Sequence, residues 1–441
     1  MLRLRLLSTA AALVFAALQP QSLRAAPIAA CDTPATPFRV NQITAGEQRY
    51  PVVARAPDGR FVIAWESEVD DRGASDIFAR RFAADGTPLG PQFRVNRFRA
   101  NRQVFPAIAI NASGAFVIAW QSNGQDSLAL NAYAQRYAAD GTPVDNEFRV
   151  NNGVRDILVK VSVALDDAGN AIFVWPERDS PVPVFGSVRR VNISARVFDP
   201  SNAVSVAQFS VFESTPSNLR LPTVGVDARG DFVVVWQATV RQSVPLDGLD
   251  GTGAQSGGGI FGRRYTADGR ARGAAFQIDT PPPTSSGLLR LFAVDQAPTE
   301  FSDRPALLVA PGGDFVVAWQ RNGFDFAALG GRLRRYGPDG APRAAETSFG
   351  APLASLRAPV LAGTPDGGFI VAAHGAGIVA QRHGAGGAAI TAPLRVDVDA
   401  AEAVLYPGIA SDAEGDVVLV WQDYAQDGES RGIVARVCTL P

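Results

Sequence analysis

Three observations predict an all-β ring of seven like sheets, a single seven-bladed β-propeller with four antiparallel strands per blade. The first is a core phrase that recurs seven times, most clearly as Phe61-Val-Ile-Ala-Trp65 and Phe116-Val-Ile-Ala-Trp120. It returns as Ile172-Phe-Val-Trp175, Phe232-Val-Val-Val-Trp236, Phe315-Val-Val-Ala-Trp319, Phe369-Ile-Val-Ala-Ala373 and Val417-Val-Leu-Val-Trp421. The second is the spacing of the Trp-equivalent positions, 55, 55, 61, 83, 54 and 48 residues, a period that suits propeller blades. The third is the phase of the repeat. The chain opens on an orphan copy of the outermost strand, Phe38-Arg-Val-Asn41, and its last repeat stops after the third strand, Ile433-Val-Ala-Arg-Val437. The amino-terminal strand is therefore expected to complete the last blade and close the ring, leaving no free sheet edge at that seam.

Within one repeat the signals come in order. Pro106-Ala-Ile-Ala-Ile110 is a short apolar run and reads as the innermost strand, A. Asn111-Ala-Ser-Gly114 is a turn in which Gly supplies the positive φ. Phe116 to Trp120, apolar on both faces, is strand B, sandwiched between neighbouring blades. Ala132 to Tyr137 is strand C, turned back at Asp140-Gly141 into the outer strand D, Phe148-Arg-Val-Asn151.

Residues 1–25 read as an export signal. Arg3 and Arg5 form a positive start, Leu6 to Leu18 a short apolar stretch, and Ala25-Ala26 a small-residue site. The apolar run is too short to span a bilayer, so a secreted or periplasmic product is expected. Residues 26–37 follow as an amino-terminal segment and 38–441 as the propeller. Removing the leader moves the net charge from −2 to −5, a poor match to nucleic acid. Lys160 is the only lysine, which reads as a coding bias toward arginine. No transmembrane segment, no cofactor and a monomer are expected.

Cys31 lies just before the orphan strand and Cys438 directly after the last strand C, so a disulfide is expected to tie the seam. The rival is a lipoprotein box, Ile28-Ala-Ala-Cys31, from which the polar stretch Gln19 to Arg24 separates the apolar run.

The short A–B and C–D turns are near-constant, whereas the B–C and D–A connections vary and emerge on one rim. Trp236 to Ile260 spans 24 residues against 12 from Trp65 to Ile77, and Phe276 to Pro305 spans 29 against 13 from Phe38 to Pro51. This face is the expected place for a partner, because variable loops on a rigid scaffold usually carry function. The residue after each Trp position is patterned as Glu66, Gln121, Pro176, Gln237, Gln320, His374 and Gln422, a polar collar with two readings. One has it bonding backbone groups between blades; the other has it binding a ligand. Glu177, Arg178, Arg321 and Asp423 flank it as further binding candidates.

Catalytic signals are sparse. His374 on the collar and Tyr424 beside it are the available proton-transfer groups. His383 aligns with Phe82, Tyr137 and Tyr336 and reads as a packing substitute. Two histidines and two separated cysteines offer no zinc-type spacing, so no metal is expected. Asp247, Asp250, Asp70, Asp71 and Asp76 lack the ordered carboxylates of a calcium loop, and the stretch running into Gly257-Gly-Gly259 reads as a flexible solvated loop. Arginines recur on strand C, among them Arg80, Arg136, Arg196, Arg263, Arg334 and Arg436. They are expected to pack their stems between blades and pair with turn carboxylates.

Together, Phe-Arg-Val-Asn, Phe-Val-Ile-Ala-Trp and Ala-Arg-Arg-Phe-Ala-Ala-Asp-Gly-Thr-Pro resemble tandem repeats of roughly 55 residues in uncharacterised exported bacterial proteins. The resemblance covers residues 38 to 438 and implies a propeller and export, with no activity attached. The expected function is a non-catalytic scaffold that binds a protein or glycan partner through the B–C/D–A face. The alternative is an exported polysaccharide lyase or glycoside hydrolase with its site on that face.

Overall fold

The computed structural model describes residues 31–441 except 32–35, 69–72, 127–129, 153–155, 159, 179–190, 215–216, 246–251, 281–299, 324–327, 351–355, 376, 398–403 and 425–430. The leader, Asp70, Asp71, Asp179, Asp247, Asp250 and most of the long D–A connection before Pro305 lie outside the described residues.

Seven antiparallel sheets run A-B-C-D from the innermost strand outward. Blade 1 has strand A at Gln48–Arg55, B at Phe61–Glu68, C at Ser75–Phe82 and D at Phe93–Arg94. The A strands touch one another in order around the ring, and that of blade 7 (Leu405–Ser411) touches that of blade 1. In blade 3 strand A is broken into Asp156–Ile157 and Ser162–Leu165, both paired with the same strand B.

The orphan strand closes the ring. Phe38 and Arg39 pair with Ala435 and Val434 of the last strand C. The Val40 amide donates to the Ile433 carbonyl at 2.8 Å, and the Ile433 amide donates to Asn41 Oδ1 at 2.9 Å. Cys31 and Cys438 form the disulfide, with Cα atoms 4.9 Å apart across 407 residues of chain. The bond occupies the Cys31 thiol that the lipoprotein reading required.

Strand B packs on two blades at once, which is why it is apolar on both faces. Phe61, Ile63 and Trp65 join Val418 and Val420 of blade 7 in one core cluster. Val62 and Ala64 join Phe116, Ile118 and Trp120 of blade 2 in the next. The indole N–H of Trp65 is satisfied by Gln48 Oε1 at 3.0 Å, and that of Trp120 by Gln103 Oε1 at 3.1 Å.

Two local expectations change. The blade 4 insertion pairs as a long ribbon, Phe232–Pro245 against Thr252–Tyr265, so Thr252-Gly253, the end of the stretch read as a loop, is strand, as is Gly257-Gly-Gly259 into which it runs. The strand C arginines mostly bond carbonyls. Arg80, Arg196, Arg263, Arg334 and Arg436 reach the carbonyls of Val40, Val150, Val211, Ile278 and Val396, on or directly after strand D of the preceding blade. Arg382 does pair with a turn carboxylate, Asp366 at 3.2 Å. A guanidinium offers several donors, and a carbonyl at the blade seam would otherwise lose water unpaired.

Candidate functional site

The collar residues sit in the wall of the ring. Glu66, Gln121, Pro176, Gln237, Gln320, His374 and Gln422 are all buried. Three of them stitch neighbouring blades: Glu66 accepts from the Phe105 amide at 3.4 Å, Gln121 donates to the Ile157 carbonyl at 3.0 Å, and Gln320 accepts from the Ala358 amide at 3.1 Å. Gln422 has neither amide atom paired, although it is fully buried. Glu177 is buried and accepts from the Trp175 indole and the Ser194 hydroxyl, both at 2.8 Å. Arg178 is half-buried beside it. Arg321 approaches Glu346 at 3.8 Å, and Asp423 is buried.

His374 is buried with its Nδ1 unpaired. Burial, then the charges of Arg304 and Arg357, push its pKa down to about 4. The ring is thus neutral at pH 7 and a weak base. Tyr424 lies under the guanidinium of Arg431, 4.6 Å from the ring centroid. His383 stacks on Phe369 at 4.9 Å, as Phe82 stacks on Phe61 at 5.0 Å.

The feature that sequence reasoning passed over lies one strand further in. In six blades strand A carries a bulge of the form X-Pro, where X has a positive φ: Tyr50 (52°), Phe105 (55°), Leu221 (50°), Arg304 (52°), Ala358 (48°) and Tyr406 (55°). In blade 1 the register jumps from Arg49↔Glu66 to Val52↔Ala64, so Tyr50 and Pro51 together oppose Trp65. Such a bulge re-aims a side chain. A bulky residue at positive φ is strained, and strain of this kind collects at functional sites. In blade 3 Val161 replaces the proline, and Lys160 takes the position of X.

These residues line the central channel, a cavity of about 560 Å³. That size lies within the range of small-molecule sites. Its mouth is at the B–C/D–A rim, because each bulge sits near the start of strand A, level with the collar. Around it, blades 7, 1 and 2 present a contiguous aromatic arc. The Tyr50 ring lies 4.9 Å from that of Phe105 and 4.8 Å from that of Tyr406, tilted by 57° and 64°. The rest of the wall carries Lys160 on blade 3, next to the arc, and Arg304 on blade 5, with Leu221 and Ala358 on blades 4 and 6. Arg304 has Asp303 at 3.8 Å. Burial pushes the Lys160 ammonium below its ordinary pKa. The side chain is half-buried in the channel wall.

A second cavity of about 350 Å³ opens beside the channel between Arg49, Glu66, Glu68 and Arg102. Burial pushes the Glu66 carboxyl up to about 6, against the opposing pull of the Phe105 amide and of Arg102, 3.9 Å away. No helix long and apolar enough to cross a membrane occurs among the described residues.

The signal for the channel was present in the sequence. A large residue precedes Pro51, Pro106, Pro222, Pro305 and Pro407, and the single lysine falls at the same repeat position.

No family model and no curated protein matches the chain. Solved structures do. A protein of unknown function from Dyadobacter fermentans DSM 18053 shares 13% identity with a TM-score of 0.51, covering 92% of this chain and 98% of its own. A polysaccharide lyase shares 9% with a TM-score of 0.53, covering 93% and 95%. An ulvan lyase bound to a repeat of glucuronic acid and sulfated rhamnose shares 9% with a TM-score of 0.52, covering 91% and 96%. At these identities the likeness is one of fold.

Proposed function

We propose that this protein is an exported, non-catalytic scaffold that binds a glycan at the mouth of its central channel, on the B–C/D–A face. One observation carries the reading: the Tyr406–Tyr50–Phe105 arc, held toward the channel by strained bulges. Aromatic rings give a sugar's C–H faces a large apolar surface, while the tyrosine hydroxyls serve its hydroxyl groups. The collar does not compete for this role, since its side chains are buried and three already bond backbone. Export is supported by the disulfide, which suits an oxidising compartment.

The test is a polysaccharide array with the purified protein and the Tyr50→Ala and Tyr406→Ala variants. Binding by the parent should weaken about tenfold or more in each variant, as expected when an aromatic anchor is truncated. A folded parent that retains no polysaccharide overturns the reading.

A second reading has its own observation. Glu66, with its pKa raised to about 6, stands in a cavity with Glu68, Arg49 and Arg102, an environment suited to a general acid of a lyase or hydrolase. Cleavage of any bound glycan that disappears in Glu66→Gln would replace the scaffold reading with this one.

A further inference from the structure

Lys160 occupies an unusual position for the only lysine of a chain that otherwise uses arginine. It stands where other blades place Tyr, Phe, Leu, Arg or Ala, on the channel wall, with no hydrogen bond or ion pair to a described residue. An ammonium withdrawn from water without a carboxylate costs free energy, and an arriving anion would recover it. Further cations stand at the mouth. Arg304 shares Asp303 with the charge of Arg220, and Arg304 and Arg357 together place positive potential on His374. Lining the same channel is the aromatic arc, whose rings are tilted by 57° and 64° and so form a curved apolar surface rather than a parallel slot for a flat base.

The geometry points to an anionic sugar as the ligand: a glycan unit bearing a carboxylate or sulfate ester, its ring against Tyr50, Tyr406 and Phe105 and its charge held by Lys160 and Arg304. The inference rests on the glycan-binding reading above and adds the charge of the ligand to it.

The experiment measures affinities for two matched pairs, polygalacturonate against its methyl ester and dextran sulfate against dextran. At least one anionic member should bind about tenfold or more tightly than its neutral partner, the weight of a charge-assisted hydrogen bond. Which pair discriminates tells carboxylate from sulfate. Lys160→Met and Arg304→Met should each remove most of that preference, and Lys160→Arg should keep it. Lys160→Met is expected to fold, since it deletes a half-buried charge that no described residue pairs. Its melting temperature should equal or exceed the parent's without ligand and gain less than the parent's when polygalacturonate or dextran sulfate is added. Equal binding of charged and neutral members, or a preference that survives both Met variants, overturns the anion assignment and leaves the glycan reading standing. If the folded protein binds none of the four, and nothing on the polysaccharide array, both fall together.

Discussion

Glu66 stands where four other blades carry glutamine, and the difference has a pH signature. Its pKa is raised from 4.5 to about 6, so the folded protein holds this proton more tightly than the unfolded chain. Stability should therefore fall as pH rises through that window, by about 2 kcal/mol in all. Glu66→Gln keeps the acceptor for the Phe105 amide and should raise stability by that amount above pH 6, with no gain below pH 4. His374 runs the other way. Its pKa is lowered from 6.5 to about 4, so its contribution is present above pH 6.5 and is lost as pH falls toward 4. His374→Gln should flatten that acid limb, worth about 3 kcal/mol. Urea denaturation of both variants at pH 4, 5, 6 and 7.5 checks the two signs. Unchanged profiles would mean that neither site is as desolvated as its burial implies.

Along each blade the repeated Phe-Arg-Val-Asn phrase proves to be a fastening. The strand D amide side chain closes the start of strand C: Asn96 Oδ1 accepts from the Ile77 amide at 2.7 Å and Asn151 Oδ1 from the Ala132 amide at 3.0 Å. Asp279 and Asp397 do the same for Ile260 and Ile378. Asn151→Leu would leave a buried amide unpaired and should cost about 1–3 kcal/mol, read as a lower melting temperature. The strand B phrase was legible because burial between two blades demands apolar residues at every position. Asn151 in its own sequence is only a polar residue after a strand, and its partner lies 19 residues away. The arginines of strand C teach the same lesson. Their recurrence was visible, yet their acceptors are carbonyls on another blade, which no side-chain pattern announces.

For the whole ring, the seam between blades 7 and 1 is where closure is decided. Blade 7 itself is held together by the Cys31–Cys438 bond and the two-residue strand Phe38–Arg39, and a buried ion pair between Arg55 and Asp412 at 2.7 Å joins it to blade 1. Replacing both cysteines with serine should lower stability by about 2–5 kcal/mol, the usual effect of losing a disulfide. Thermal melts of that variant beside the untreated and reduced parent check it. Coincident curves for all three would mean that the strand and the ion pair close the ring unaided.

The count of blades, the strand order within each and the closing role of the amino-terminal strand could all be read from the chain, because hydrophobic period and turn chemistry are local and repeat faithfully. Which side chains face the channel was marked only by the residues before the repeated prolines, and that mark does not give their direction. That depends on a two-against-one register in strand A, where Tyr50 and Pro51 oppose Trp65, and the pairing exists only once strand B lies alongside. The bulge turns Tyr50, Phe105, Arg304 and Tyr406 toward a space formed by seven blades together, while the collar, which the sequence left between two readings, is enclosed by its neighbours.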